Sequence, residues 1–138
     1  MQSQLEIETQ GPGLYEFTGR VHGRIAEQGR QCGLLTLFVQ HTSCSLLIPE
    51  NADPEVQGDL QAFFHRLVPP SSDPSMGYLR HTYEGPDDMP AHIKAAMMPV
   101  SQSIPVQQGQ LMLGTWQGIY LFEHRNAALS RRVVAHLT

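Results

Sequence analysis

Apolar and polar residues alternate near the start of the chain, with Leu5 and Ile7 set between Glu6 and Glu8. That period of two predicts a half-buried strand, closed by Gly11-Pro12-Gly13. Leu14 to Phe17 reads as a second strand hairpinned onto the first. From Thr18 the spacing becomes helical, with Val21 and Ile25 on one face and Gly29 as a stop after about Gln28. The densest apolar run, Leu34-Leu35-Thr36-Leu37-Phe38-Val39, has the length and strand-forming content of a strand buried on both faces. Polar residues Gln40 to Cys44 break it, and a short apolar run, Leu46-Leu47-Ile48, follows. Asp53-Pro54 then marks a helix start, because aspartate accepts from free backbone N–H groups and proline at the first helical position needs no donor.

Val56, Leu60, Phe63, Phe64 and Leu67 give this helix an apolar stripe, and Pro69-Pro70 ends it. Ser71 to Gly77 has loop composition, and a polar stretch from Thr82 to Asp88 leads into a helix from about Met89 to Met98. Ile93, Ala96 and Met97 are its expected apolar side. Val100 to Val106, Leu111 to Leu113, Ile119 to Phe122 and Arg131 to Leu137 read as strands. The class is α+β, mostly antiparallel sheets with two or three helices, in a single domain covering residues 1–138.

Composition narrows the picture. A hydrophobic content of 41% and a charged content of 16% are globular values, and no apolar run approaches the roughly 20 residues of a membrane helix. Net charge is −4 and the nine Lys and Arg form no cluster, which argues against a nucleic-acid partner. The polar, acidic start lacks the pattern of a signal peptide, so a cytoplasmic protein with reduced Cys32 and Cys44 is expected.

The candidate chemistry lies at element ends. His41 ends the central strand, His81 precedes the polar loop, and His92 sits early in the following helix. Imidazole and carboxylate are the ligands of open zinc sites, although no HExxH or CxxC spacing is present. Each histidine is therefore either a ligand or a hydrogen-bonded surface group. Glu50, Asn51 and Asp53 gather at the helix mouth, with helix capping accounting for Asp53 alone. Trp116 and Gln117 occupy a glycine-flanked turn that either floors a pocket or simply connects two strands. Glu123 and His124 end a strand, and Cys44 is either a thiol nucleophile near His41 or a small packed residue. Arg80, Arg125, Arg131, Arg132 and Lys94 are candidates for phosphate, or else surface charges.

Three blocks together resemble the YjbQ-like family, known as secondary thiamine-phosphate synthase enzymes. They are FVQHTSCSLLIPENADPEVQGDL, RHTYEGPDDMPAHIKAAMMPVSQSIPV and GQLMLGTWQGIYLFEHR, and the likeness covers essentially the whole chain. The resemblance implies a homotrimer with a polar pocket near the subunit boundary and a divalent metal held by His41, His81 and His92. Zinc is the expected metal, or magnesium with a pyrophosphate substrate. It further places Glu50, Asn51, Asp53, Trp116, Gln117 and Glu123 in or around that pocket, where Asn51, Asp53, Trp116 and Gln117 would meet a small-molecule substrate. Glu50, Glu123 and Asp88 (which stands where the family pattern has a nearby asparagine) are the candidate catalytic carboxylates. The implied reaction joins a pyrimidine pyrophosphate to a thiazole phosphate, the alternatives being a metal-assisted hydrolase and a non-catalytic trimer that binds a metabolite or metal.

Overall fold

The structure, a computed structural model, describes residues 1–138. Eight strands and three α-helices follow one another as β1 (Gln2–Gln10), β2 (Gly13–Glu16), α1 (Thr18–Gln28), β3 (Cys32–Val39), β4 (Cys44–Leu47), α2 (Pro54–Leu67), α3 (Asp88–Met97), β5 (Ser101–Gln107), β6 (Gln110–Leu111), β7 (Tyr120–Glu123) and β8 (Ala128–Leu137). A 3-10 turn at Pro74–Met76 interrupts the loop between α2 and α3. The α+β class holds. One antiparallel sheet has the order β1-β8-β3-β5-β6 and a second the order β2-β7-β4.

Two sequence expectations change here. β1 pairs with β8 and β2 with β7, so the first two strands form no hairpin and belong to different sheets. Gly11 (φ +107°) and Gly13 (φ +149°) allow the sharp redirection of the chain from one sheet to the other. The central strand β3 is buried on one face only: Leu35, Leu37 and Val39 are inside, while Leu34 and Phe38 are exposed. The sequence shows a continuous apolar run because both faces carry apolar side chains, yet within one chain only one face finds a partner layer.

That inner face is the floor of the core. Leu5, Ile7, Leu35, Leu37, Ile104, Val106, Val133 and Ala135 of the large sheet meet Val21 and Ile25 of α1, Cys44, Leu46 and Leu121 of the small sheet, and Ile119 just before β7. Burying each of the larger aliphatic side chains is worth roughly 1.5–3 kcal/mol. The small sheet is thereby fixed across the large one, and its ends position the polar residues described next.

The helices carry further corrections. Asp53 accepts from the Glu55 N–H at 2.9 Å, as the cap pattern predicts, but α2 buries no residue and exposes Phe63 and Leu67. In α3 the buried residues are Asp88, Pro90, Ala91 and Ala95, and the side made by Asp88, Ala91 and Ala95 is nearly the opposite face of the helix from Ile93, Ala96 and Met97. Asp88 wins the inward position because its charge is met there by an arginine. No helix is long and apolar enough to cross a membrane.

Candidate metal centre

Asp88 opens α3 and is buried, which for a carboxylate requires compensation. Arg125, just past the end of β7, provides it: Nη1 meets Asp88 Oδ1 at 2.8 Å, and Nε donates to Asp87 Oδ2 at 2.9 Å. The backbone N–H of Asn126 adds a bond to Asp87 Oδ2 at 2.9 Å. Burial alone would raise the Asp87 carboxyl, but these bonds bring it below its usual range. Arg125 also donates to the Glu84 carbonyl, so one guanidinium ties the 84–88 loop to the small sheet.

With Oδ1 occupied, Asp88 presents Oδ2 outward. His81 Nε2 lies 3.0 Å from it and His92 Nε2 3.3 Å from it, and His81 Nε2 is also 3.0 Å from Glu84 Oε2. His92 comes from the next turn of α3, since residues four apart share a helix face. Glu84 reaches the group from a loop in which Gly85 has φ +108°, and a Cβ there would sit 3.1 Å from Asp87 Oδ1. The four ligand atoms of His81, Glu84, Asp88 and His92 lie within 4.8 Å of one another.

The bonding of His92 restricts what this group can be. Its Nδ1 is 3.0 Å from the Thr42 carbonyl oxygen, which can only accept, so Nδ1 carries the hydrogen. In the neutral ring Nε2 is then a bare lone pair, and it faces a carboxylate oxygen. Two lone pairs at that distance repel, so a positive species belongs between them: a proton on the ring, or a cation. The edges of a tetrahedron of ligands bonded at ~2.0–2.2 Å are about 3.4 Å, near the 3.3 Å of His92 Nε2 and Asp88 Oδ2, whereas the 3.0 Å spacings of His81 Nε2 are hydrogen-bond distances. The donor set fits zinc or another divalent transition metal, with Thr42 and Arg125 as the outer groups that orient its ligands.

His41 lies outside this group. Its Nε2 accepts from the Arg132 backbone N–H at 2.8 Å, so in the neutral ring the hydrogen is on Nδ1 and neither nitrogen offers a free lone pair. Burial, reinforced by Arg131 and Arg132, lowers its pKa and so favours the neutral ring.

Glu123 is fully enclosed. It accepts from Thr9 Oγ1 at 2.7 Å, from Arg131 Nε at 2.7 Å and Nη2, and from the N–H groups of His124 and Arg125, both at 3.1 Å. Burial favours its protonated form, but these donors outweigh burial and lower its pKa. With its oxygens filled from inside the fold, Glu123 locks β7 to β1 and β8. Cys44 is buried beside it, and burial pushes the thiol up to about 12, so it packs as a small apolar residue.

Glu50, Asn51, Asp53, Trp116 and Gln117 form a separate group where the β4–α2 connection meets the turn before β7. Glu50 and Gln117 make an isolated bridge, the Asn51 N–H donates to the Trp116 carbonyl at 2.8 Å, and Gln117 Oε1 accepts from the Gly114 N–H at 2.7 Å. Asn51 Nδ2 donates to Glu16 Oε2 at 3.2 Å. Trp116 is 62% exposed. No hydrogen bond or ion pair joins this group to the histidine–carboxylate cluster. Sequence reasoning passed over Glu84, although His81 three residues before it and the Asp88–His92 pair four apart are the local signal for it.

Comparison with known proteins agrees with this fold. The model of the "UPF0047 protein YjbQ-like" family matches residues 3–138. A UPF0047 protein of Synechocystis is 47% identical over 137 residues, covering 99% of this chain and 90% of its own. The UPF0047 protein YjbQ of Escherichia coli O157:H7 is 43% identical, covering 99% and 96%. Among solved structures, a conserved hypothetical protein of Thermus thermophilus superposes with a TM-score of 0.84 at 32% identity, covering 99% of each chain. A hypothetical protein of Aeropyrum pernix gives 0.88 at 26% identity, covering 100% of this chain and 98% of its own. The chain belongs to the UPF0047 YjbQ-like family.

Proposed function

We propose that this UPF0047 chain is a divalent-metal enzyme acting on small molecules, with His81, Asp88 and His92 as ligands and Glu84 as a fourth ligand or the base beside them. One observation carries the reading. The Thr42 carbonyl fixes the hydrogen of His92 on Nδ1 and leaves its Nε2 lone pair facing Asp88 Oδ2. A structural zinc site is usually closed and thiolate-rich, whereas this group has no cysteine and its Glu84 side chain is 53% exposed. That openness favours a site with room for a substrate. Zinc is the first candidate, and when bound it would supply Lewis acidity to a substrate oxygen.

The chain's own residues hold that geometry in place. Arg125 turns Asp88, Thr42 sets the tautomer of His92, and Glu84 sits at the mouth where a proton can be exchanged with a substrate. Joining a pyrimidine pyrophosphate to a thiazole phosphate would need several free cations for two phosphorylated substrates. Arg125 is already committed to Asp87 and Asp88, so metal-assisted hydrolysis of a small amide or phosphoester suits the cluster better. The protein is proposed to work in the cytoplasm as a homotrimer, in which the exposed Leu34 and Phe38 on the outer face of the large sheet would be covered.

The test is turnover on a panel of amides, phosphate monoesters and the two thiamine precursors, with and without a chelator. The reading expects chelator-sensitive turnover on one class, lost at least ~100-fold in Asp88→Asn, in line with removing an essential ligand or its support. Metal retention without turnover on any of them would make the protein a non-catalytic binder.

A further inference from the structure

A cavity of about 440 Å³ opens between α2, α3 and the end of β7. Phe64 and Val68 from α2, Pro90 from α3 and Phe122 from β7 give it apolar walls, and Lys94 and His124 are among its polar lining. Its volume is within the range of small-molecule sites, roughly 300–1,000 Å³.

Two polar atoms there, His124 Nδ1 and Lys94 Nζ, have no hydrogen-bond partner within the chain. His124 is 3% exposed; its Nε2 is 3.0 Å from Ser45 Oγ, while its Nδ1 is buried without any hydrogen bond. A buried polar atom left unpaired costs ~1–3 kcal/mol, so this atom is met by whatever fills the cavity, water or ligand. Burial, reinforced by Lys94, pushes the His124 pKa down to about 3, and the ring is neutral at pH 7. Lys94 is half-buried and makes neither an ion pair nor a hydrogen bond through its side chain. The carboxylates that share the lining, Asp87 and Glu123, are already engaged by Arg125 and Arg131. The cavity therefore holds the Lys94 ammonium, which burial disfavours and which feels the Asp87 charge without an ion-paired or hydrogen-bonded partner, together with one unpartnered imidazole nitrogen and two phenyl rings.

We propose that this cavity binds a small organic anion with an apolar body, its charged end on Lys94, a polar atom on His124 Nδ1 and its apolar part against the wall formed by Phe64, Val68 and Pro90. The Phe64 and Phe122 rings pack edge to face with centroids 6.0 Å apart, so they form one continuous apolar wall. The inference does not depend on the metal reading, because none of the proposed ligands lines the cavity.

Benzoate, phenyl phosphate and the neutral benzamide are the probes, titrated into full-length protein by calorimetry before and after chelator treatment. The expected result is saturable binding of at least one anion with a Kd of ~1 mM or tighter, and at least about tenfold weaker binding of benzamide. Lys94→Met should weaken the anion about tenfold and leave benzamide unchanged. Preference for benzoate or for phenyl phosphate identifies the ligand as a carboxylate or a phosphate ester. Failure of both anions to saturate, benzamide binding as tightly as the anions, or loss of binding on chelation would each overturn the proposal. The comparison of anion with amide in the unaltered protein needs no variant to fold.

Discussion

At the scale of single residues, the protein's polar groups divide by whether their bonds are already spent. Glu123 is spent, and its loss is structural: Glu123→Gln leaves the buried Arg131 guanidinium without its counter-charge, though Ser43 still accepts from it, and breaking a buried pair typically costs ~3–5 kcal/mol, measurable by urea unfolding. Cys44 is spent in packing, so in native protein iodoacetamide should label the exposed Cys32 and leave Cys44 unreacted until the chain unfolds. Equal labelling of both thiols would contradict the core described above. Acid sensitivity follows from the same groups. His124 has a folded pKa of about 3 against an ordinary 6.5, so the unfolded chain binds its proton first as pH falls. Its stabilising contribution is complete above pH 6.5 and declines from there to about 3, and His41, also lowered, acts in the same direction. Glu123 and Asp87 add a second loss below the ordinary carboxylate range. The urea midpoint should thus fall steadily from about pH 7 to about pH 4, and His124→Gln should flatten the upper part of that slope. A midpoint that rises on acidification would contradict the neutral, buried state of His124.

At the scale of elements, the group of ligands depends on a loop and one helix being tied to a strand end. Gly85→Ala forces a side chain onto a positive φ and against Asp87, so it should weaken metal binding although residue 85 bears no ligand. Arg125→Gln should do the same by releasing Asp87 and Asp88 together. Much of this architecture was legible in the sequence: the Asp53-Pro54 helix start, the order of strands and helices, and His81 with His92 on either side of an acidic loop. What escaped were facts that local pattern does not carry. The face of α3 is set by the pairing of Asp88 with Arg125, distant in the chain, against the hydrophobic pattern of Ile93 and Met97. The β1–β2 hairpin was the natural local reading, yet each strand finds its partner more than a hundred residues on. His41 stands at the right strand end for a ligand, and only the Arg132 N–H on its Nε2 reveals that it is otherwise engaged.

At the scale of the molecule, an α+β subunit leaves Leu34 and Phe38 on an open sheet face and Phe63 and Leu67 on α2. Light scattering should give three times the chain mass, and Phe38→Glu should shift it toward the monomer if the sheet face is what associates. A monomeric wild type would leave that face to another partner. The central claim, however, concerns the cation between His81, Asp88 and His92. It is tested most directly by elemental analysis of untagged protein, comparing wild type with His81→Ala, Asp88→Asn, His92→Ala and His41→Ala at matched folding. The account predicts close to one divalent ion per chain in wild type and in His41→Ala, and its loss in the other three. A metal-free wild type after soaking and desalting, or loss of the ion in His41→Ala as completely as in His92→Ala, would contradict it.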